Sequence, residues 1–161
     1  MGAERDFFVR EVEERDLKAI LDIEYMCFPD PYPLSLLTRL LSMYRSTFLV
    51  ADNGDGVVGY IIGAVKWGKV GHILAIGVSP DYRRRKIGSA LMEEVLTRFA
   101  RIGAEVAKLE VRKSNTGARE FYRKLGFVER HEVPYYYADG ETAVTMEKSL
   151  SQINAFGSQR K

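Results

Sequence analysis

Apolar positions in the first quarter of the chain recur at helical spacing on both sides of a proline-rich stretch. A short strand is expected over residues 7–11, and Asp16 is expected to cap the helix that follows. This helix must end near Phe28 because three prolines follow, so residues 27–33 form a stiff loop. The apolar positions of this helix and of the one after the loop are Leu17, Ile20, Leu21, Ile23 and Met26, and then Leu34, Leu37, Leu40 and Leu41.

The rest of the chain alternates between strand-like and helix-like patterns. Gly103 and Gly126 are expected to end two helices, and Thr116 to cap the second of them. A helix between two strands of one sheet implies a parallel pair, so the pattern predicts an α/β protein with a mixed sheet. The further strands are expected at 47–51, 57–65, 70–78, 108–112, 127–135 and 142–148, and the further helices at 87–102 and 117–124.

Length and composition favour a single globular domain. With 161 residues, of which 46% are hydrophobic, the chain can bury one sizeable core. We expect the domain to span residues 1–150 and residues 151–161 to form a flexible tail. The net charge of +2 comes from 24 basic and 22 acidic residues, which argues against a general surface for DNA or another polyanion.

Compartment and membrane signals are few. The single cysteine, Cys27, excludes an intrachain disulfide and suits a reducing compartment. We expect it to be a small buried packing residue rather than a nucleophile. No apolar run reaches the roughly 18 to 20 residues that span a bilayer, and the charged first residues do not resemble a signal peptide. The expected location is therefore cytoplasmic, without membrane association.

Four consecutive cations, at residues 83–86, stand immediately before the helix expected at 87–102. A helix amino terminus is already partly positive, so cations are unfavourable there unless a bound anion completes the site. The placement therefore favours a phosphate-binding site. By itself, a run of four cations could also be a solvated basic turn or a nucleic-acid patch.

Three segments together resemble the sequence motifs of the GNAT acyltransferases. Residues 83–88, Arg-Arg-Arg-Lys-Ile-Gly, resemble the Arg/Gln-x-x-Gly-x-Gly/Ala loop of that family. Residues 109–115, Leu-Glu-Val-Arg-Lys-Ser-Asn, and 121–127, Phe-Tyr-Arg-Lys-Leu-Gly-Phe, resemble its second motif. The likeness covers residues 7–149. Gly71-His72-Ile73 and residues 136–141 narrow it to protein N-terminal acetyltransferases of the RimI and arrest-defective-protein type.

The resemblance implies a fold and a reaction. The fold is a single GNAT domain with a mixed, mostly antiparallel sheet of about seven strands and about four helices. The reaction is acetyl transfer from acetyl-CoA to the free α-amino group of protein N-termini. One position departs from the family, because Lys86 replaces the first loop glycine. The implied cofactor-binding residues are Ile76, Gly77, Val78, Arg83, Arg84, Arg85, Lys86, Ile87, Gly88, Ser89, Asn115 and Tyr122.

The resemblance also assigns catalytic roles. Glu110 matches the glutamate that serves as the base in RimI, acting directly or through water. His72 stands at a position where a tyrosine shares the proton-relay role in some N-terminal acetyltransferases. Tyr122 matches the general acid, whose phenol can give its proton to the departing thiolate. Each has a simpler interpretation: a surface carboxylate, a structural histidine and a core aromatic. The sequence leaves open whether Glu110 or His72 is the base.

The acceptor side carries two conflicting cues. Phe28, Pro29 and Tyr32 resemble the loop of the branch that acts on methionine-initiated chains, whereas Tyr136 and Tyr137 resemble the NatA-type hairpin; Leu74 joins the expected substrate-binding set. The conflict suggests a relaxed first-residue preference. Without the family, the tyrosines at 135 to 137 could equally be a strand with core-facing rings.

The sequence is also compatible with other functions. A GNAT enzyme acting on lysine side chains or on a small amine is one alternative, and a non-catalytic CoA- or nucleic-acid-binding module is another. The expected partners are protein or peptide N-termini, and association with a ribosome or an auxiliary subunit stays open. No metal is expected, since His72, His131 and Cys27 have no ligand spacing.

Overall fold

The computed structural model describes residues 6–67 and 69–151. The expected tail, apart from Ser151, therefore lies outside the described residues. The chain forms two compact units. The first unit comprises residues up to Ala64 together with Ala75–Arg98, and the second comprises Val65–Leu74 together with residues from Phe99 onward.

The described residues form a seven-stranded sheet and four α-helices. The strands follow the order β1-β2-β3-β4-β5-β7-β6, and β4 and β5 are parallel. The pairs β1–β2, β2–β3, β5–β7 and β6–β7 are antiparallel, which confirms the expected mixed sheet. The strands are β1 (Phe8–Glu11), β2 (Phe48–Asp52), β3 (Val57–Lys66), β4 (Val70–Val78), β5 (Val106–Arg112), β6 (Val128–Val133) and β7 (Ala143–Ser149). The helices are α1 (Leu17–Cys27), α2 (Leu34–Met43), α3 (Ile87–Ile102) and α4 (Thr116–Lys124).

Helical spacing in the first unit identifies most of the residues that become buried. Leu17, Ile20 and Ile23 of α1 are buried, as the pattern predicts, but Met26 is 54% exposed. Leu34 on α2 is also largely exposed. Both lie at a helix end next to the proline loop, where an apolar residue continues the sequence pattern beyond the part of the helix that packs. The spacing of apolar residues therefore predicts more buried positions next to this loop than the structure has.

Asp16 is not the side-chain cap that the sequence suggests. Its carboxylate accepts two hydrogen bonds from the Arg10 guanidinium, at 2.8 and 2.9 Å, and one from the Glu13 backbone N–H. Asp16 lies in a short 3-10 turn before α1 and is buried. Arg10 also donates to Asp52 at the end of β2. Arg10 of β1 and the Glu13 N–H thus occupy the Asp16 carboxylate, so its side chain does not cap α1.

The second unit has a strand with two distinct faces. Along β5, alternate residues are buried in the core, and the other face carries Lys108, Glu110 and Arg112. The β4–β5 pairing places His72 of β4 opposite Lys108. A β-strand alternates its side chains, so Glu110 lies two residues further along the same face as Lys108. The fold therefore brings a histidine and a glutamate together on neighbouring strands.

Strand boundaries at the last hairpin differ from the pattern. The sequence predicts a strand over residues 127–135, whereas β6 ends at Val133. Tyr135 has a φ of 56° and is 85% exposed. The interpretation of the three tyrosines as core-facing strand residues is therefore wrong, because the chain turns before it reaches them.

No helix among the described residues is long and apolar enough to span a membrane.

Candidate active site

In the second unit, two polar side chains contact the same carboxylate oxygen of Glu110. Oε1 of Glu110 lies 2.7 Å from Nε2 of His72 and 3.0 Å from the hydroxyl of Tyr136. A carboxylate only accepts, so Nε2 of His72 carries the hydrogen and Tyr136 donates as well. Leu74, another expected substrate residue, is half-buried and shares the β4 face of His72.

The environment of Glu110 keeps its carboxyl group ionised. Burial by itself would raise its pKa, but the hydrogen bond and charge of His72, with a smaller effect of Tyr136, bring the pKa below its usual value. The other oxygen, Oε2, is buried and has no hydrogen-bond partner among the described residues. A buried anion with an unused acceptor is costly to retain in a core, so it indicates a functional group.

The loop between β6 and β7 is held to the end of β5 by Arg112. The Nη1 atom of Arg112 donates to both oxygens of Asp139, at 2.9 and 3.1 Å, and to Glu141 at 3.0 Å. Its guanidinium lies 4.1 Å from the centre of the Tyr137 ring, and Tyr137 contacts Tyr136 edge to face. The arginine thereby fixes the hairpin that delivers the Tyr136 hydroxyl to Glu110. The sequence motif contained Arg112, but nothing local in it indicated this long-range role.

Tyr122 lies on α4 and is buried between aromatic rings. Its ring centre is 5.4 Å from that of Phe121 and 6.0 Å from that of Phe127. Burial raises the pKa of its phenol, so the hydroxyl remains protonated at neutral pH. The site is thus consistent with both interpretations of Tyr122, as a core aromatic and as a proton donor.

Asn115 has a local structural task. Its side-chain oxygen accepts a hydrogen bond from the Ala118 N–H at 3.1 Å and caps the amino terminus of α4. The expected cap was Thr116, which is instead the first residue of the helix. The side-chain amide of Asn115 remains a donor, so a cofactor role is compatible with capping and stays a prediction.

The basic run of the first unit is exposed at the start of α3. Arg84 and Lys86 both have a φ of 65°, while Arg85 between them has no positive φ. Alternation between right- and left-handed backbone turns successive N–H groups toward one side and forms an anion-binding concavity. Residues 83–86 are exposed, and the following Ile87, Gly88 and Ser89 form the first turn of α3. This segment suits a pyrophosphate.

The end of β4, Ala75–Val78, contains a close backbone approach at Gly77. A Cβ atom at Gly77 would lie only 2.7 Å from the ring of Tyr60 on β3, so no other residue fits there without movement. Ile76 and Val78 on either side are half-buried. The carbonyl of Val78 accepts from Nε of Arg83 at 3.3 Å, which ties the basic run to this strand end.

Cys27 differs from its expected role as a buried packing residue. The residue is half-buried at the end of α1, and its thiol contacts the Val78 carbonyl at 3.5 Å. The Nη2 atom of Arg83 lies 3.3 Å from the same sulfur. Cys27 therefore lines the polar strand end and is not enclosed in the apolar core.

The proline loop of the first unit follows α1 directly. Phe28 and Tyr32 are half-buried in it, and Pro29 is exposed. The backbone N–H of Tyr32 donates to Oε2 of Glu24 at 3.0 Å. Sequence analysis missed Glu24, although its position offered a signal: it lies seven residues after Leu17 and four after Ile20, on the apolar face of α1.

The two units thus carry different parts of the expected site. The second unit contains His72, Glu110 and Tyr122 together with Leu74, Asn115 and the two hairpin tyrosines. The first contains the basic run, the end of β4 and the proline loop. Among the described residues, no group of three or more His, Cys, Asp or Glu side chains could hold a metal ion.

Comparisons with known proteins point to one family. Residues 17–127 match the model of the acetyltransferase (GNAT) family. An uncharacterized N-acetyltransferase of Methanocaldococcus jannaschii is 40% identical over 87% of this chain and 90% of the relative. An N-alpha-acetyltransferase of Sulfurisphaera tokodaii is 35% identical over 91% of this chain and 95% of the relative.

The solved structures include a close match over nearly the whole described chain. The crystal structure of Ard1 from Thermoplasma volcanium superposes with a TM-score of 0.86 and 30% sequence identity. The match covers 89% of this chain and 97% of that one. Sequence and structure comparisons therefore agree on the same family.

Proposed function

Because the chain belongs to the acetyltransferase (GNAT) family, we propose that it transfers acetyl from acetyl-CoA to the free α-amino group of protein N-termini. The similarity to the Sulfurisphaera tokodaii N-alpha-acetyltransferase supports this choice within the family. So does the likeness to the Ard1 structure. The enzyme class follows from the family, while the acceptor is the part that an assay must establish.

The observation that carries the proposal is the buried, ionised Glu110 with its unused Oε2 atom. Acetyl transfer to an amine requires the amine to lose a proton. An α-amino group has a pKa of about 8 and a lysine ammonium about 10.4, so the neutral fraction at pH 7 is several hundredfold larger for the former. A carboxylate of modest basicity is therefore adequate for an N-terminus, directly or through water. His72 and Tyr136 hold this carboxylate in place by hydrogen bonds to its other oxygen.

The residues of the basic run suit the diphosphate part of the cofactor. Backbone N–H groups at residues 83–89 and the cations of that segment would hold the pyrophosphate, and the edge of β4 at Ile76 and Val78 would bind the pantetheine arm. Asn115 adds a donor in the second unit. When bound, acetyl-CoA supplies the acetyl group as a thioester with a good leaving thiolate.

Tyr122 completes the proton transfers. Its phenol remains protonated because burial raises the pKa, so the hydroxyl can give its proton to the leaving sulfur. The tyrosine can then recover a proton from solvent or from the acceptor amine. Its burial between Phe121 and Phe127 limits its rotation, which favours a fixed donor position.

The acceptor range belongs to the proposal as well. Phe28, Pro29 and Tyr32 would enclose the first side chain, while Leu74 and the two hairpin tyrosines would hold the peptide. We propose a relaxed first-residue preference, since the loop and the hairpin resemble different branches. A cytoplasmic location, near newly made chains, and association with a ribosome or auxiliary subunit are part of the same proposal.

A peptide panel with labelled acetyl-CoA tests the acceptor. The panel contains one sequence with different first residues, and a version whose amino terminus is blocked and which has one internal lysine. We expect mass spectrometry to place the label on the free α-amino group of several peptides and not on the blocked version. Label on the internal lysine alone would favour a lysine acetyltransferase. CoA binding without thiol release for any amine would indicate a non-catalytic module.

The general-acid role of Tyr122 is tested by Tyr122→Phe. We expect kcat to fall by about 100-fold with the CoA dissociation constant nearly unchanged, because only the proton donor is lost. Steady-state kinetics and calorimetric CoA titration measure the two effects. Tyr25→Phe, on the exposed face of α1, is the matched control and should behave as wild type. Unchanged turnover in Tyr122→Phe would leave the residue as a core aromatic.

A further inference from the structure

A buried carboxylate in the first unit joins three separate elements. Glu24 on α1 is 2% exposed and Tyr60 on β3 is 0% exposed. The hydroxyl of Tyr60 donates to Oε1 of Glu24, and Oε2 of Glu24 accepts from the Tyr32 backbone N–H at 3.0 Å. Both carboxylate oxygens are therefore used. The catalytic roles assigned above do not include this cluster.

Burial of the Glu24 carboxyl group costs free energy, because the group loses its contact with water. Burial raises the pKa of Glu24, and the hydrogen bonds from Tyr60 and Tyr32 only partly oppose this effect. The nearby Asp30 carboxylate on the loop adds to the increase. An apolar residue would pack on α1 without this desolvation cost. What an apolar residue could not do is hold the backbone of the loop.

Tyr60 extends the connection to the strand that is expected to bind the cofactor. Its ring lies where a side chain at Gly77 would have to be, with the nearest atom 2.7 Å from an ideal Cβ position. The backbone of Gly77 therefore packs against the Tyr60 ring, and the hydroxyl of the same tyrosine binds Glu24. A continuous series of contacts runs from Gly77 through Tyr60 and Glu24 to the backbone of Tyr32.

We propose that Glu24 and Tyr60 are positioning residues that fix the proline loop at residues 28–33 against the end of β4 and thereby set peptide affinity and first-residue selectivity. The proposal rests on the proposed function, in which this loop encloses the acceptor's first side chain. Neither residue is required to touch the reacting atoms. Their effect is exerted through the Tyr32 backbone, whose N–H donates to the Glu24 carboxylate.

The test uses paired substitutions in the full chain. Tyr60→Phe removes the hydroxyl and keeps the ring beneath Gly77. Glu24→Leu removes both acceptors at similar volume, and Glu24→Gln restores an oxygen for the Tyr32 N–H. Tyr25→Phe and Asp22→Asn are the matched controls, since they make the same chemical changes on the exposed face of α1.

Kinetics distinguish positioning from chemistry. For Tyr60→Phe we expect the peptide KM to rise about tenfold, the scale of one buried hydrogen bond, with kcat within about twofold and CoA affinity unchanged. The spread of KM values among peptides with different first residues should narrow. Glu24→Leu should show the larger effect, and Glu24→Gln should recover most of it. A large fall in kcat with unchanged peptide KM would overturn the proposal, because it would place Glu24 in the chemistry.

Hydrogen exchange provides a readout that needs no turnover. The Tyr32 amide should exchange at least about tenfold faster in Glu24→Leu than in wild type, while amides in α2 keep their protection. An unchanged Tyr32 rate would also overturn the proposal. If the wild-type enzyme acetylated no free amino terminus, the proposed function would fail, yet the exchange comparison would still decide whether Glu24 holds the loop. If Glu24→Leu does not fold, Tyr60→Phe carries the comparison of KM values, and Glu24→Gln serves as its near-wild-type reference.

Discussion

Glu110 uses one carboxylate oxygen for two hydrogen bonds and keeps the other buried without a partner among the described residues. The sequence left the choice of base between Glu110 and His72 open. The structure places the two in direct contact, so substitution of either one changes the surroundings of the other. A loss of activity in one variant therefore does not identify the base. A shift of the pH profile carries more information.

We predict that His72→Phe moves the acidic limb of the kcat/KM profile to higher pH. In the wild type, the hydrogen bond and charge of His72 oppose burial and bring the pKa of Glu110 below its usual value. Without the histidine, burial dominates and the pKa rises, so the carboxylate is lost at a higher pH as the solution is acidified. Tyr136→Phe should shift the limb in the same direction by less. Measurement of kcat/KM from about pH 3 to 9 covers this limb, because the pKa of Glu110 in the wild type lies below the usual glutamate value of about 4.3.

The matched control for this profile is His131→Phe. His131 is an exposed histidine on β6, and its substitution should leave the limb unchanged. Glu110→Gln should remove the limb altogether if this carboxylate is the base. A limb that disappears in His72→Phe but is retained in Glu110→Gln would assign the base to His72. If neither substitution alters the profile, the amine loses its proton to solvent.

At the scale of the element, the loop before α3 combines a favourable ligand geometry with backbone strain. Lys86 replaces a glycine of the family pattern and adopts a φ of 65°, which is unfavourable for a residue with a Cβ atom. Lys86 thus adopts a backbone conformation that favours glycine. The Lys86 side chain also adds a cation at the start of α3. The strain and the charge can be separated by substitution.

We predict that Lys86→Gly is more stable than Lys86→Ala by about 1 kcal/mol, because both lose the charge and only glycine tolerates the positive φ. Urea unfolding of the two variants measures the difference. Arg85 is the internal control, since it has no positive φ. There the order should reverse, with Arg85→Ala more stable than Arg85→Gly because glycine loses more backbone entropy on folding. Equal stabilities at position 86 would count against a strained loop.

At the scale of the whole molecule, a close approach between a helix and a strand requires glycine at one position of β4. Gly71 on β4 lies against Phe99 of α3, and a Cβ atom added there would lie 2.3 Å from the ring. In the sequence, the Gly71-His72-Ile73 segment is only a family cue. The structure supplies its physical reason, since the helix packs directly onto the strand backbone within the second unit.

We predict that Gly71→Ala destabilises the protein by about 1 to 3 kcal/mol, the usual cost of forcing an atom into a well-packed core. Thermal or urea unfolding measures this change. Gly56→Ala is the control, because a Cβ atom there meets no heavy atom within 4 Å among the described residues and φ is not positive. That substitution should be neutral or slightly stabilising. A Gly71→Ala variant as stable as wild type would show that Phe99 can move aside.

The sequence by itself determined the element order, the parallel β4–β5 pair and the family. These features depend on local signals: the apolar period, the prolines after α1, the glycine after α3 and motifs whose residues are near one another in the chain. Such signals report on backbone geometry and on which face is apolar. They also gave His72, Glu110 and Tyr122 as candidates, through their positions within the family motifs.

Only the tertiary structure decided which polar groups act together. The contact of Arg10 with Asp16, of Tyr60 with Glu24 and of Tyr136 with Glu110 joins residues from different elements. Hydrogen bonding depends on distances of about 3 Å and on burial, and neither follows from spacing along the chain. The burial of the Glu110 Oε2 atom likewise cannot be inferred from the sequence. The free-energy cost of burying this oxygen without a partner among the described residues arises from the residues that surround it in the folded protein.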